Sequence, residues 1–342
     1  MQKEQINNLV RKNILSLKPY SSARDEFSGS EGVFLDANEN PFGQLNRYPD
    51  PHQKALKKRL SEIKKLPVEY IFVGNGSDEV IDLTFRIFCN PGTDKALTFT
   101  PTYGMYEVSA AINDIELIKI PLTRTFQINF DALENYLGDE NLKLIFICSP
   151  NNPTANSIEN IEKVLQKFNG MVIVDEAYID FSRADSYLDK IVTYPNLIVM
   201  QTFSKAWGLA AARVGMAYAN SEVISFYNKV KPPYNVSEPN QKAAISALAD
   251  VAGYEQRKSV ILGQRTWLEN QLPALAVVKK IYPSDANFLL VEMTDANKIY
   301  NELVNRKVIT RNRHSVIENG IRITVGSPEE NQKLIDALKK IK

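Results

Sequence analysis

Short apolar, β-branched segments alternate with amphipathic ones between about residues 55 and 220. The segments at 143–150, 171–178 and 197–204 are almost continuously apolar, as strands are when helices cover both faces of a sheet. The segment 77–88 has the spacing of an amphipathic helix. This alternation predicts an open, mostly parallel α/β sheet. Further strands are predicted at 70–74, 95–101, 115–122 and 214–220.

The last third of the chain has a different pattern. A long helical region covers about 238–272, and strand-like segments follow it at 277–283 and 286–293. This order predicts a smaller α+β domain with a partly antiparallel sheet. We therefore predict three parts: an N-terminal segment (1–30) that joins the small domain or a partner subunit, a large α/β domain (31–237) and a small C-terminal α+β domain (238–342).

The charges are almost balanced, because 41 Lys and Arg face 40 Asp and Glu, for a net charge of +1. This balance gives no electrostatic reason to expect nucleic acid or an anionic membrane as a partner. The basic stretch 53–65 is read as a solvated helix face that turns Leu56, Leu60 and Ile63 inward.

The cysteines, histidines and apolar runs exclude several classes of protein. The two cysteines and two histidines lie far apart in the sequence, which excludes the closely spaced ligands of a Cys/His zinc cluster, and two cysteines make a disulfide framework very unlikely. Cys89 and Cys148 lie in apolar stretches and are expected to be buried and reduced. The chain starts with a polar segment and has no run of 18 apolar residues, so we expect a cytoplasmic enzyme with no metal and no membrane segment.

Lys205 directly follows an apolar strand and precedes a run of small residues. A lysine is ordinarily a solvated surface charge, but open α/β sheets bind ligands at the carboxyl ends of their strands. There its amine could form a Schiff base with an aldehyde if its surroundings favour the neutral form. Ser204 and Arg213 could bind a phosphate beside it.

Asp175 ends another apolar strand, where an unpaired carboxylate is costly to bury. It could cap a helix or form a salt bridge. Alternatively, it could pair with a heterocyclic nitrogen and keep that nitrogen protonated. Tyr178, three residues later, could then donate a hydrogen bond to an oxygen on the same ring.

Three more segments follow strands of the predicted sheet. Asn152 lies in a Pro- and Asn-rich turn, the turn 74–79 carries two glycines before a helix, and Tyr103 offers an aromatic ring. Each alone has an ordinary structural explanation. Together with Lys205 and Asp175 they match the needs of pyridoxal 5′-phosphate (PLP): an amine, an acid, donors, a stacking ring and a phosphate cup.

With these residues, the sequence resembles the class II aminotransferases of fold type I, and within them the histidinol-phosphate aminotransferase family. The resemblance covers about residues 17–340 and rests on motifs in the family order. These are LDANENPFG (35–43), RYPDP (47–51), GNGSDE (74–79), PNNPT (150–154), VDEAYIDF (174–181), TFSKAWGLAAARVG (202–215) and IRITVG (321–326).

The resemblance implies a PLP-dependent transferase of fold type I, with a mostly parallel sheet in its large domain. It implies that Lys205 bonds to the cofactor and that Asp175 pairs with the pyridine nitrogen. It also implies that Asn152 and Tyr178 donate to the ring oxygen and that Tyr103 stacks on the ring. The remaining cofactor residues would lie at its phosphate: Gly76, Ser77, Asp78, Thr202, Ser204 and Arg213.

The same resemblance implies a homodimer with shared active sites, because Tyr48 matches a tyrosine that reaches the partner's cofactor phosphate. Arg322 matches the arginine that binds the substrate's anionic end, with Arg311, Tyr20 and Asn38 nearby. The implied reaction converts L-histidinol phosphate and 2-oxoglutarate to imidazole acetol phosphate and L-glutamate, in histidine biosynthesis.

Two alternatives share this scaffold: an aromatic or broad-specificity aminotransferase, and a threonine-phosphate decarboxylase. A non-catalytic dinucleotide-binding module is a third, but the turn 74–79 lacks the last glycine of its fingerprint. One residue departs from the family pattern, because Ala155 stands where members usually have glycine after Asn-Pro-Thr. Alanine would restrict the backbone there if its φ were positive.

Overall fold

A computed structural model describes residues 3–21 and 32–341 of the chain. Its strands are β1 Ile71–Gly74, β2 Lys95–Thr100, β3 Glu116–Pro121, β4 Leu142–Cys148, β5 Met171–Asp175, β6 Leu197–Thr202, β7 Gly215–Ala219, β8 Val278–Ile281, β9 Phe288–Met293, β10 Arg311–Asn312 and β11 Gly320–Thr324.

The helices surround these strands and connect them. They are α1 Lys3–Leu9, α2 Lys12–Ser16, α3 Lys54–Lys64, α4 Ser77–Phe88, α5 Met105–Ile112, α6 Phe130–Glu134, α7 Ile161–Lys167, α8 Ser221–Val230, α9 Glu238–Ala249, α10 Val251–Gln271, α11 Ala296–Asn305 and α12 Pro328–Leu338. No helix in the described ranges has the length and apolar character needed to cross a bilayer.

The large sheet has seven strands in the order β1-β7-β6-β5-β4-β2-β3. The pairs from β6 through β5, β4 and β2 to β3 are parallel, and β7 is antiparallel to both β1 and β6. Successive residues of β5 enter different cores, because Val172 and Val174 pack on one face of the sheet and Ile173 on the other. Both faces are therefore covered, as the apolar runs in the sequence predict.

The small sheet is antiparallel throughout, in the order β10-β11-β9-β8, and has a core of its own. The predicted domain boundary at 237/238 falls before α9, yet α9 packs on the large core through Ala244 and Leu248. The change of core falls within α10, since its Tyr254 belongs to the large core and its Leu268 to the small one. The extent of the two domains otherwise stays a prediction.

The N-terminal segment is predicted to join the small domain or a partner subunit. Within the single chain, Ile6, Val10 and Ile14 are buried in a core of the large sheet to which α4 and α8 also contribute, and Lys229 Nζ donates to Leu15 O at 2.7 Å. The described part of the segment therefore packs on the large sheet's core, and its contact with a partner subunit stays a prediction. Residues 1–2 and 22–31 of the predicted segment and its junction lie outside the described residues.

Two contacts join the small sheet's part of the chain to the turn after β4. Asp285 N donates to Ala155 O at 2.8 Å, and the Asp285 carboxylate accepts hydrogen bonds from the backbone and hydroxyl of Ser157. This turn therefore has a fixed position between the two sheets.

Ala155 has a φ of 70° and is fully buried, so the strain expected for alanine at this position is present. The left-handed conformation costs roughly 1–2 kcal/mol for an L-residue. Replacing a buried alanine by glycine normally costs about 0.8 kcal/mol of methyl burial and about 0.4–1 kcal/mol of chain entropy.

We expect Ala155→Gly to change the free energy of unfolding by less than about 1 kcal/mol, because relief of strain offsets the lost methyl group. The matched control is Ala286→Gly, which removes an equally buried methyl group where φ is not positive and should lower that free energy by roughly 1.5 kcal/mol. Urea unfolding measures both. Equal losses would show that the backbone of Ala155 is unstrained.

Candidate active site

The carboxyl ends of the central parallel strands meet at one edge of the sheet, and Asp175 is the last residue of β5. Its carboxylate is buried. Tyr106, on α5, donates its hydroxyl to Asp175 Oδ2 at 2.7 Å, and Ala177 N donates to Oδ1 at 3.1 Å. Burial raises the pKa of Asp175, while these two hydrogen bonds act in the opposite direction. A cation beside this carboxylate would stabilise its charged form.

Lys205 lies three residues after β6 and is half-buried, with Nζ 5.4 Å from the centre of the Tyr178 ring. Burial lowers the pKa of Lys205, the nearby Arg322 charge lowers it further, and the Asp175 charge partly compensates. Within residues 3–21 and 32–341, no group hydrogen-bonds Lys205 Nζ. Its amine is therefore more easily deprotonated than an ordinary lysine and available for chemistry.

Asn152 connects the two sheets at this edge. Its Oδ1 accepts a hydrogen bond from Arg322 Nη1 at 2.6 Å, and its Nδ2 lies 3.4 Å from the buried Tyr178 hydroxyl. Arg322 is on β11, with its guanidinium carbon 5.3 Å from the centre of the Phe288 ring. The small sheet thus contributes a positive charge to a site that otherwise belongs to the large sheet.

A second group of residues lies at the start of α4. Gly76 has a φ of 81°, and its helix has no side-chain cap at the N-terminus. A Cβ on Gly76 would lie 2.5 Å from Arg213 Nη2, and one on Gly215 would collide with Ser77 N. The close approach allowed by these two glycines places a guanidinium beside uncapped backbone N–H groups, an arrangement suited to an anion.

Asp78 lies between this helix start and the aromatic residues. It accepts a hydrogen bond from Tyr103 at 3.0 Å and pairs with Arg213 at 3.2 Å. Burial, together with Asp78, raises the pKa of Tyr103. The Tyr103 ring packs edge-on against Tyr106, with centroids 5.7 Å apart.

The last two predicted phosphate residues are Thr202, which ends β6, and Ser204, in the loop that follows. The Thr202 hydroxyl is buried, donates to Val214 O at 3.4 Å and accepts from Ser204 N at 3.1 Å. The Ser204 side chain is partly exposed. Both residues therefore lie just before Lys205 in the chain.

Three predicted site residues are not joined to this group in the single chain. Tyr48 is about half exposed and stacks on Tyr234, with centroids 4.3 Å apart. Asn38 lines a surface cavity with Tyr48, and Tyr20 is largely exposed. None of the contacts described for these residues involves Asp175, Lys205 or Arg322.

Two residues at or near the site, Tyr106 and Arg313, are not among those predicted from the sequence. Tyr106 holds Asp175, and its position one helical turn after Tyr103 could have indicated a shared face. Arg313 follows Arg311 by two residues, the spacing that puts two side chains on one face of a strand. Neither spacing is distinctive enough to indicate a site residue until the fold is known.

The site combines a lysine amine, a buried carboxylate and an anion-binding helix start at the carboxyl edge of a mostly parallel sheet. This combination is typical of α/β enzymes that act on anionic ligands. A model of the aminotransferase class I and II family matches residues 26–338. The chain belongs to this family.

Two relatives are similar over nearly their whole length. Both are named histidinol-phosphate aminotransferase: one from Cytophaga hutchinsonii is 50% identical, covering 98% of each chain, and one from Bacteroides fragilis is 51% identical, covering 98% of this chain and 99% of the other.

Solved structures have the same fold. The histidinol-phosphate aminotransferase of Clostridium acetobutylicum superposes with a TM-score of 0.79 at 24% identity, covering 86% of this chain and 90% of that one. The Sinorhizobium meliloti enzyme, in complex with pyridoxal-5'-phosphate, has a TM-score of 0.77 at 24% identity and 89% coverage of both chains. The predicted fold type I is therefore confirmed.

The residues at this edge fit PLP. The amine of lowered pKa, the buried carboxylate and the anion-binding helix start correspond to its aldehyde, its ring nitrogen and its phosphate. The two glycines allow the Arg213 guanidinium and β7 to approach the helix start closely, so that one phosphate could contact both the guanidinium and the backbone N–H groups.

We expect Tyr106→Phe to lower the free energy of unfolding of the cofactor-free protein by about 1.5–3 kcal/mol, because it removes a hydrogen bond to a buried charged group. The control is Tyr218→Phe, since the Tyr218 hydroxyl is buried without a hydrogen-bond partner and its removal should be neutral or stabilising. Urea unfolding at neutral pH compares them, and equal stability of the two variants would contradict the importance of the Asp175 contact.

Proposed function

We propose that this chain is a PLP-dependent aminotransferase that converts L-histidinol phosphate and 2-oxoglutarate to imidazole acetol phosphate and L-glutamate, a step of histidine biosynthesis. Relatives about 50% identical over nearly their whole length support the substrate pair. The observation that carries the proposal is the position of Arg322, whose guanidinium is held by Asn152 and lies near the Lys205 amine. A cytoplasmic location stays a prediction.

We assign the cofactor contacts to the residues at the strand ends. Asp175 would hold the ring nitrogen, Asn152 and Tyr178 the ring oxygen, and Tyr103 a face of the ring. The phosphate would be held by Arg213 and the backbone at Gly76, Ser77 and Asp78, with the hydroxyls of Thr202 and Ser204. When bound, PLP accepts the electrons that remain on the substrate's α-carbon after its proton leaves.

Lys205 has two tasks in this proposal. Its Nζ would anchor the cofactor between turnovers, then take the proton from the substrate's α-carbon and return it to the carbon on the other side of the amino nitrogen. The lowered pKa of Lys205, caused by burial and by Arg322, favours the neutral amine that can accept this proton. The negative charge of Asp175 would stabilise the protonated, cationic form of the cofactor's pyridine ring.

Arg322 binds the anionic end of either substrate, with Arg311 beside it. The two arginines are directly opposite in the β10–β11 pair. A planar guanidinium can bind a phosphate or a carboxylate with two parallel hydrogen bonds. Asn152 and the ring of Phe288 hold Arg322 in position for both partners.

Substrate comparison tests this function against the two alternatives on the same scaffold. With 2-oxoglutarate, histidinol phosphate should give glutamate at a kcat/KM at least about tenfold above that of phenylalanine, since a phosphate uses the guanidinium groups more fully. O-phosphothreonine should release no carbon dioxide. Glutamate from phenylalanine alone would establish the broad-specificity alternative, and carbon dioxide release the decarboxylase.

Lys205→Ala supplies the background for this assay. We expect its turnover to fall by about 10²–10⁴-fold or more, because the base at the α-carbon is lost. The variant should retain some PLP through its phosphate and ring contacts, measured by visible absorbance. Turnover near the wild-type value would remove Lys205 from the mechanism.

We also propose a homodimer in which Tyr48 reaches the partner's cofactor phosphate, and in which Tyr20 and Asn38 bind substrate. Large apolar side chains are exposed over the segment 32–50, among them Leu35 at 89% and Phe42 at 82% exposure. Glu39 accepts hydrogen bonds from Arg47 and from Tyr48 N, which gives this irregular segment a defined shape. Contiguous exposed apolar groups of this kind mark an interaction surface.

Phe42→Asp should shift the dimer toward monomer and lower activity with it, because it places a charge in the proposed interface. The control is Val192→Asp, which places the same charge at an exposed apolar residue outside the segment 32–50 and should leave the dimer intact. Sedimentation velocity reports the mass of each variant. A wild-type protein that is monomeric and fully active would exclude shared active sites.

A further inference from the structure

Three guanidinium groups share one face of the hairpin formed by β10 and β11. Arg311 is directly opposite Arg322 in the strand pair. Arg313 lies two residues beyond Arg311, and its N–H continues the ladder by donating to Gly320 O at 2.8 Å. Residues two apart in a strand project to the same side, so Arg313 extends the pair to a row of three.

No carboxylate within residues 3–21 and 32–341 forms an ion pair with any of these three arginines. The Nε atoms of Arg313 and Arg322 are buried and have no hydrogen-bond partner among the described residues. Burial lowers the pKa of Arg313, and the Arg322 and Arg311 charges lower it further. Like charges facing one another are destabilising, so this row is incomplete without anions. A single anionic group of a substrate, bound at Arg322, would leave most of the positive charge of the three arginines uncompensated.

Arg313 also lines a cavity of about 550 Å³ beside the site, together with Tyr103, Tyr106 and Pro153. The volume is typical of a small-molecule site. Tyr103 and Tyr106 are the residues that contact Asp78 and Asp175, so the cavity shares two of its walls with the candidate cofactor site. The part of a substrate that extends beyond its reacting carbon can occupy this space.

We propose that Arg313 is a specificity-determining residue that binds the second, distal carboxylate of the 2-oxoglutarate/glutamate pair in this cavity. The inference rests on the proposed function, in which one active site accepts two unlike partners. Arg322 takes the anionic group that both partners carry. The dicarboxylate brings a further negative charge to Arg313, whereas a neutral imidazole fills the same cavity against its tyrosine and proline walls.

Binding of two unreactive acids to the PLP-loaded enzyme tests the assignment. Glutarate carries two carboxylates, and pentanoate replaces one of them by a methyl group. By isothermal titration calorimetry, Arg313→Gln should weaken glutarate binding by on the order of tenfold to a hundredfold, because a charge-assisted contact is lost. Pentanoate binding should change by less than about twofold, which also shows that the site remains folded.

Two further variants sharpen the test. Arg313→Lys keeps the positive charge but lacks the planar guanidinium that can form two parallel hydrogen bonds, so it should bind glutarate more tightly than Arg313→Gln but less tightly than the wild type. Arg124→Gln removes an exposed arginine elsewhere and should leave both acids unchanged. In steady-state assays, Arg313→Gln should raise the KM for 2-oxoglutarate about tenfold or more and that for histidinol phosphate less than about threefold.

Three outcomes would overturn the assignment. Unchanged glutarate affinity in Arg313→Gln would show that another group, such as Arg311, holds the distal carboxylate. Equal weakening of glutarate and pentanoate would show a general loss of the site. Equal affinities of the wild-type enzyme for the two acids would show that no distal carboxylate is recognised, and only this last result would also contradict the proposed amino acceptor.

Discussion

The buried negative charge of Asp175 is the constraint on which the rest of the site depends. A carboxylate at the end of a covered central strand has little access to water, and leaving it unpaired would cost several kcal/mol. Tyr106 and the backbone of Ala177 provide donors. This requirement ties α5 to the end of β5 and places Tyr103, one turn earlier on the chain, above the same edge.

Much of the large sheet could be predicted from the sequence, because a strand covered on both faces must be apolar along its whole length. α4 begins at Ser77 and ends at Phe88, as the periodicity indicates. Lys205, Asp175 and Asn152 could be placed together because parallel strands end at one edge. The site roles of these residues stay predictions. In the structure Lys205 lies within the electrostatic influence of Asp175, and Asn152 contacts Tyr178 and Arg322.

Other features required the tertiary structure. Tyr106 looks like an ordinary core residue in the sequence, and only the rotation of α5 brings its hydroxyl to a carboxylate. The change of core within α10 could not be read from a continuous helical pattern. The backbone of Ala155 could be predicted only conditionally, since its φ depends on how the turn meets Asp285. Tyr48, Asn38 and Tyr20 have no described contact with the site in the single chain, and in the proposed homodimer they would reach it from the partner subunit.

The contacts of Asn152 with Arg322, and of Ala155 and Ser157 with Asp285, have a consequence for how the chain could be divided. A fragment that ended after the seven-stranded sheet would keep Lys205 and Asp175 but lose Arg322, the guanidinium that is proposed to bind the ligand. The turn after β4 would also lose its contacts with Asp285. In the proposed mechanism neither fragment would therefore be active alone, and a split version of the protein would regain its chemistry only by reassembly of the two fragments.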